Sequence, residues 1–201
     1  MLKKLQVNTQ THRIFLPLIF IGFMACNKDN DNASPTILVG EWKLTSTSGS
    51  LDNTISFQRN DTTVKLTESQ TYYSTLASGF QSFSGITTSS DSLFVHAVIT
   101  QNNKEYLNDI LHEDTTIVSG LDQPTLDAQS SFQMIGRDSI HFDGLGIPLT
   151  AGLIYIGGAE GLKYKISGNT LTLTTYLYIN DSTATSVQHG IRTIVNVFTR
   201  K

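Results

Sequence analysis

Apolar and polar residues alternate with a period of two along most of this chain. The clearest run follows the turn signal Ser167-Gly168-Asn169. There Leu171, Leu173, Leu177 and Ile179 fall on one face of a strand, and Thr170, Thr172, Thr174, Tyr176 and Tyr178 on the other. The last segment repeats the pattern, with Ile191, Thr193, Val195, Val197 and Thr199 alternating against Arg192, Ile194, Asn196, Phe198 and Arg200. Joined by the stretch from Asn180-Asp181-Ser182 to Gly190, these two segments predict a C-terminal antiparallel pair. Shorter runs of the same kind occupy 37–47, 54–57, 62–68, 71–80, 92–100, 131–135, 139–142 and 162–166, several of them preceded by a polar turn such as Ser90-Asp91-Ser92 or Arg137-Asp138-Ser139. Recurrent short strands behind such turns suit a meander.

Helical spacing is nearly absent. Tyr106, Leu107, Ile110 and Leu111, behind Asn102-Asn103, predict one short amphipathic helix or turn. That group lies in 101–129, richer in acids and turn residues than its surroundings, which reads as a long connection or a lid over one end of the sheet. With no crossover helices, the expected domain is all-β and antiparallel, with about eight to ten strands. A sheet of that size must close or fold over, because an open edge invites aggregation. The choice is between an up-and-down β-barrel and a β-sandwich.

The N-terminal segment follows different rules. Residues 1–25 carry Lys3, Lys4 and Arg13 without an acid, then the apolar run from Ile14 to Ala25, too short to span a bilayer as a helix and typical of a signal peptide. The single cysteine, Cys26, follows directly. Phe23-Met24-Ala25-Cys26 resembles the lipobox of bacterial lipoproteins, with a small residue before the Cys, which implies cleavage there and a lipid chain on the Cys26 sulfur. A lone cysteine makes no internal disulfide, so the exported domain must be stable without one. Residues 26–35 then read as a lipidated Cys and a polar, aperiodic tether, and 36–201 as the folded domain. Lys28, Asp29 and Asp31 resemble the short surface-export signal of lipoproteins in the Bacteroidetes phylum. The low charged fraction, 15%, suits Ser/Thr-faced strands better than salt-bridged helices. Without Lys3, Lys4 and Arg13, eleven Lys and Arg remain against 17 Asp and Glu, a formal charge of about −6. A mildly acidic chain without a basic cluster is not expected to bind nucleic acid or to dock on anionic lipid by charge, which leaves the acyl chains to hold it to the membrane.

The segment from Ile37 to Ser46, with its Gly40-Glu41-Trp42, resembles the first strand of lipocalin-like proteins, including lipoprotein members common in Bacteroidetes. The likeness continues at Tyr164–Leu173 and Phe198-Thr199-Arg200. It implies an up-and-down barrel in which Trp42 plugs the closed end and Arg200, with Arg192 as the alternative, stacks on its indole, with Gly40, Trp42 and Arg200 as structural positions. It also implies an interior that takes a small hydrophobic or amphipathic ligand, in a protein lipid-anchored at the bacterial outer membrane. Tyr73, Phe83 and Phe94 are the candidate lining residues, with an exposed stacking platform for sugar rings as their other use and a plain core role as the third.

No motif points to chemistry. His141 and Asp143 share a strand face and His112-Glu113-Asp114 lies in the connection, but no His-x-x-x-His or Cys-containing spacing supports a metal. There is no Gly-x-Ser-x-Gly elbow, and Gly157-Gly158-Ala159-Glu160-Gly161 lacks the Lys-Ser/Thr of a phosphate loop. No cofactor or catalytic residue is expected. The expected function is a non-enzymatic, lipid-anchored carrier of a small ligand or partner of an envelope protein, and the alternative is a surface module for proteins or glycans.

Overall fold

The computed structural model describes residues 35–123, 128–143 and 162–201. The predicted signal peptide, Cys26, the tether to Ser34 and the 157–161 glycine cluster lie outside the described residues. After a single 3₁₀ turn, Pro35–Ile37, everything regular is strand: β1 Gly40–Arg59, β2 Thr62–Ser84, β3 Thr87–Leu107, β4 Ile110–Gln123, β5 Ala128–Ile135, β6 Ser139–Asp143, β7 Leu162–Ser167, β8 Thr170–Ser182 and β9 Ser186–Arg200. All pairings are antiparallel. The sheet runs β2-β1-β9-β8-β7-β6-β5-β3-β4 and closes through a further β2–β3 pairing. β4 and β5 follow one another along the same side of β3, at Val95–Leu107 and at Thr87–Ser90. The molecule is therefore an up-and-down antiparallel barrel with eight positions around the ring, built entirely within 35–201.

Among the described residues the ring is complete at one end. Near Trp42 it contains the first part of β1, the last of β2, the start of β3, and β5 to β9. Toward the other end β5, β6 and β7 have no counterpart among the described residues, and the sheet continues as β8-β9-β1-β2-β3-β4 with β4 and the outer half of β8 as edges.

Inward positions of the closed half are apolar: Trp42, Leu44, Phe83, Val95, Phe132, Ile140, Leu171, Leu173 and Phe198 are buried in one cluster. Outward positions carry Glu41, Lys43, Lys163, Lys165, Thr172 and Thr174. This polarity is the reverse of a barrel that spans a bilayer, whose lipid-facing side is apolar.

Three expectations change. Over 101–123 the chain is neither helix nor lid: β3 and β4 form a long hairpin whose turn, Asn108-Asp109, places both residues at positive φ (49° and 65°). A two-residue turn of this hand matches strand twist, and Asn and Asp tolerate the left-handed region. The 37–47 and 54–57 segments are one strand, as are 62–68 and 71–80. Finally, β2 slips between Ser74 and Leu76, and both β2 and β3 are irregular around Ser78/Phe80, where Gly79 sits at φ +96° and its missing Cβ would lie 2.2 Å from the Ser92 carbonyl oxygen. Such bulges reverse which residues face inward.

Candidate functional site

The Trp42 end is a plug held by hydrogen bonds and ring stacking. The turn at Pro35–Ile37 feeds Leu38 and Trp42 into the core, both fully buried, and the indole N–H donates to the Leu38 carbonyl at 2.8 Å. The Arg200 guanidinium lies 4.6 Å from the Trp42 ring centroid and donates to the Ile37 carbonyl at 3.1 Å. Register sets this up, since Trp42 and Arg200 are direct partners on β1 and β9. Phe83 stands edge-on to Phe132, centroids 5.4 Å apart, and fills the same interior. The closed half is thus occupied by its own side chains.

Above it lies a polar belt. The Thr47 hydroxyl donates to Asn196 Oδ1 at 2.8 Å, both residues buried. The hydroxyls of Thr175 and Tyr72 are buried with no hydrogen-bond partner. Burial pushes the Tyr72 phenol well above its ordinary range, with the nearby Arg192 charge opposing the rise. The Tyr72 ring crosses Gly49, where a Cβ would sit 2.4 Å from it. Tyr72, Ile99, Leu177 and Ile194 form a second, smaller apolar cluster there.

Beyond the belt, the inward face of the open half carries a groove of about 420 Å³. Two cross-strand rows build its floor: Asn53, Glu68, Asn103 and Thr115, then Ile55, Leu66, Glu105 and Glu113, with Ile117 at its edge. Glu105 and Glu113 are direct antiparallel neighbours, a like-charge pairing that costs stability. His112 Nδ1 is 3.6 Å from Glu105 Oε2, and the Thr115 hydroxyl donates to Glu113 at 3.0 Å. Lys104 lines the groove, but its ammonium pairs with Asp114 at 3.3 Å. The hydrogen bonds of Asn102 and Lys104 hold the Asp114 carboxyl below its usual range.

The sequence-selected aromatics part company. Phe83 points into the filled core, whereas Tyr73 is 56% exposed and Phe94 lies on the outward side of β3 beside buried Leu93 and Val95. The inward tyrosine is Tyr72. Tyr73 shares parity with Phe83 in the sequence, but the slip at Ser74/Leu76 reverses the face between them. Sequence reasoning does not select Glu68 or Glu105 and weighs Glu113 only as a metal ligand beside His112 and Asp114; no sequence signal marks the three as neighbours, because the pairing of β2, β3 and β4 is what brings them together. Of the histidines, His96 pairs with Asp122 on the outer face, and His189 meets Asn180 at 2.9 Å. Among the described residues no group of three His, Cys, Asp or Glu is close enough to hold a metal ion.

No family model and no curated protein matches the sequence. Among solved structures, the crystal structure of Ail, the attachment invasion locus protein of Yersinia pestis, aligns with 81% of this chain and 99% of its own at 8% identity and a TM-score of 0.23. The barrel is established by its own strand pairing, and so loose a likeness adds nothing to it.

Proposed function

We propose that this chain is a lipid-anchored cell-envelope protein of the lipocalin-like kind, held at the bacterial outer membrane through Cys26, that binds a small amphipathic ligand in the groove of its open half. The observation that carries the reading is the Glu105–Glu113 pairing inside a groove walled by Ile55, Leu66 and Ile117. A protein that keeps two carboxylates side by side on a concave, partly apolar surface gives up stability there, and a cationic group on an apolar body would recover it. The ligand is accordingly an amine-bearing amphiphile. Its seat is the groove and not a calyx around Phe83, because the closed interior is filled.

Native mass spectrometry of the chain with decylamine and with decanoate tests the ligand class. Retention of the amine alone, lost in Glu105→Gln/Glu113→Gln, supports the reading; equal retention of both, or none, rejects it. Palmitate labelling of the wild type but not of Cys26→Ser tests the anchor separately.

A second reading has its own observation. Tyr73 and Tyr178 are well exposed on the outer face, as an aromatic platform for sugar rings would require. Glycan-array binding lost in Tyr178→Ala, with amine binding intact, would favour it.

A further inference from the structure

The turns of the meander sort by end, and so do the charges. Gly85-Ile86, Gly136–Asp138 and Gly168-Asn169 lie at the Trp42 end, together with the chain's entry at Pro35 and with Arg200-Lys201. Asn60-Asp61, Asn108-Asp109 and 183–185 lie at the other. The Phe132 N–H bonds the Ile86 carbonyl, the Tyr164 N–H bonds the Asp138 carbonyl, and the Arg200 N–H bonds the Asn169 carbonyl, which fastens each turn to a neighbouring strand.

At the Trp42 end, aliphatic side chains stand out at the tips: Ile86 is 66% and Ile135 55% exposed, with Ile37 and Val39 also open on either side of fully buried Leu38. Among the described side chains, the closed half carries the cations Lys43, Arg137, Lys163, Lys165, Arg200 and Lys201 against the carboxylates Glu41, Asp91 and Asp138. In the open half the balance is inverted, with Arg59, Lys65, Lys104 and Arg192 facing nine carboxylates. Lys163 pairs with Asp138 at 2.8 Å and Lys201 with Glu41 at 3.2 Å, which leaves the described closed half with an excess of three cations and the described open half with an excess of five carboxylates.

We propose that the Trp42 end is a bilayer-docking face, with Ile37, Ile86 and Ile135 entering the interfacial layer of an anionic lipid surface and the surrounding Lys and Arg meeting its headgroups. Aliphatic tips ringed by cations have the composition of an interfacial contact. Where the chain enters decides which end meets the lipid: Pro35 is nine residues after Cys26, so a lipidated Cys26 keeps this end within about 30 Å of the bilayer. The geometry rests on the anchored reading, and the opposite end then presents its groove away from the membrane. Ile110, 73% exposed at that far end, stands among Asp109, Glu113 and Asp114 and is repelled by the same lipid.

Cosedimentation of residues 26–201 carrying Cys26→Ser, with phosphatidylcholine vesicles with or without phosphatidylglycerol, tests the face without acyl chains. The expected result is binding to the phosphatidylglycerol vesicles, reduced about tenfold by Ile86→Glu or Ile135→Glu and unchanged by Ile110→Glu, with thermal unfolding reporting that all three variants fold. Ile86→Ser, which removes the apolar tip without adding charge, is expected to weaken binding less than Ile86→Glu. No vesicle binding, equal binding to both vesicle types, or equal loss in Ile110→Glu overturns the proposal, whatever labelling of Cys26 shows.

Discussion

In the half of the ring around Trp42, β1, β2 and β3 turn Leu44, Phe83, Val95 and Leu93 inward; beyond Gly49 the same three strands turn Asn53, Glu68, Gln70, Asn103 and Glu105 inward. Backbone geometry is common to both, so the difference lies in what closes the ring. Where β5 to β9 complete it, water is excluded and inward positions are mostly apolar; buried Gln81 donates its amide N–H to Thr88 at 2.5 Å, while its Oε1 has no hydrogen-bond partner. In the open half, where β4 and the outer half of β8 are edges among the described residues, the inward positions mix buried Leu51, Val64 and Gln70 with carboxylates that reach water, such as Glu113. Stability is thus concentrated in one half and binding chemistry in the other.

The largest test of that division is Trp42→Ala. Removing a fully buried indole from the closed half is expected to cost about 3–5 kcal/mol in urea unfolding, whereas Phe57→Ala, half-buried at the open end, should cost distinctly less. Next comes the junction. Gly49→Ala drives a methyl against both the Thr193 carbonyl oxygen and the Tyr72 ring, and overpacking of this kind costs about 1–3 kcal/mol; Gly49→Ala/Tyr72→Leu should recover only the share due to the ring, because the backbone contact with Thr193 remains.

Replacing orphaned hydroxyls should work in the opposite direction. Thr175→Val and Tyr72→Phe each remove a buried group without a partner, and each is expected to raise stability by about 1 kcal/mol. Tyr72 also predicts a pH dependence. Its folded pKa is raised above the unfolded value of about 10, so stability is fully present below that pH and declines as pH rises above it. The decline should be absent in Tyr72→Phe when unfolding is followed between neutral and strongly alkaline pH. Smallest is Glu113→Gln, which relieves the Glu105 contact and should stabilise the free protein by about 0.2–1 kcal/mol, at the low end because Glu113 is exposed, while weakening decylamine binding. Loss of both stability and binding would break the link between the groove's strain and its ligand.

The two halves were unequally legible in the sequence. β8 could be read directly because Leu171, Leu173 and Leu177 alternate with Thr and Tyr, and one side of that strand is dry. The stacking of Arg200 over Trp42 was expected from the lipocalin-like resemblance and not from alternation, and the contact is present. β4 could not be read: Glu113, Thr115 and Ser119 occupy inward positions and Val118 an outward one, so a strand wet on both faces has no apolar alternation to read. Asn108-Asp109 is a hairpin turn without the glycine that usually marks one. The lining residues failed on parity, since the bulge at Ser74/Leu76 transfers the inward position from Tyr73 to Tyr72, the irregularity of β3 opposite Ser78/Phe80 turns Phe94 outward, and a bulge leaves no mark in a hydrophobicity pattern.

The closure of β1 on β9 constrains when the molecule can fold. Trp42 and Arg200, partners in the plug, are 158 residues apart, and β1 has β9 as its only neighbour besides β2 among the described strands. Contacts of such long sequence separation form late and make folding slow. A chain passing through a membrane N-terminus first would carry its first strand for most of the passage with one edge unsatisfied. The barrel would close only when the last strand arrives, so for such a chain the topology itself would place folding after passage.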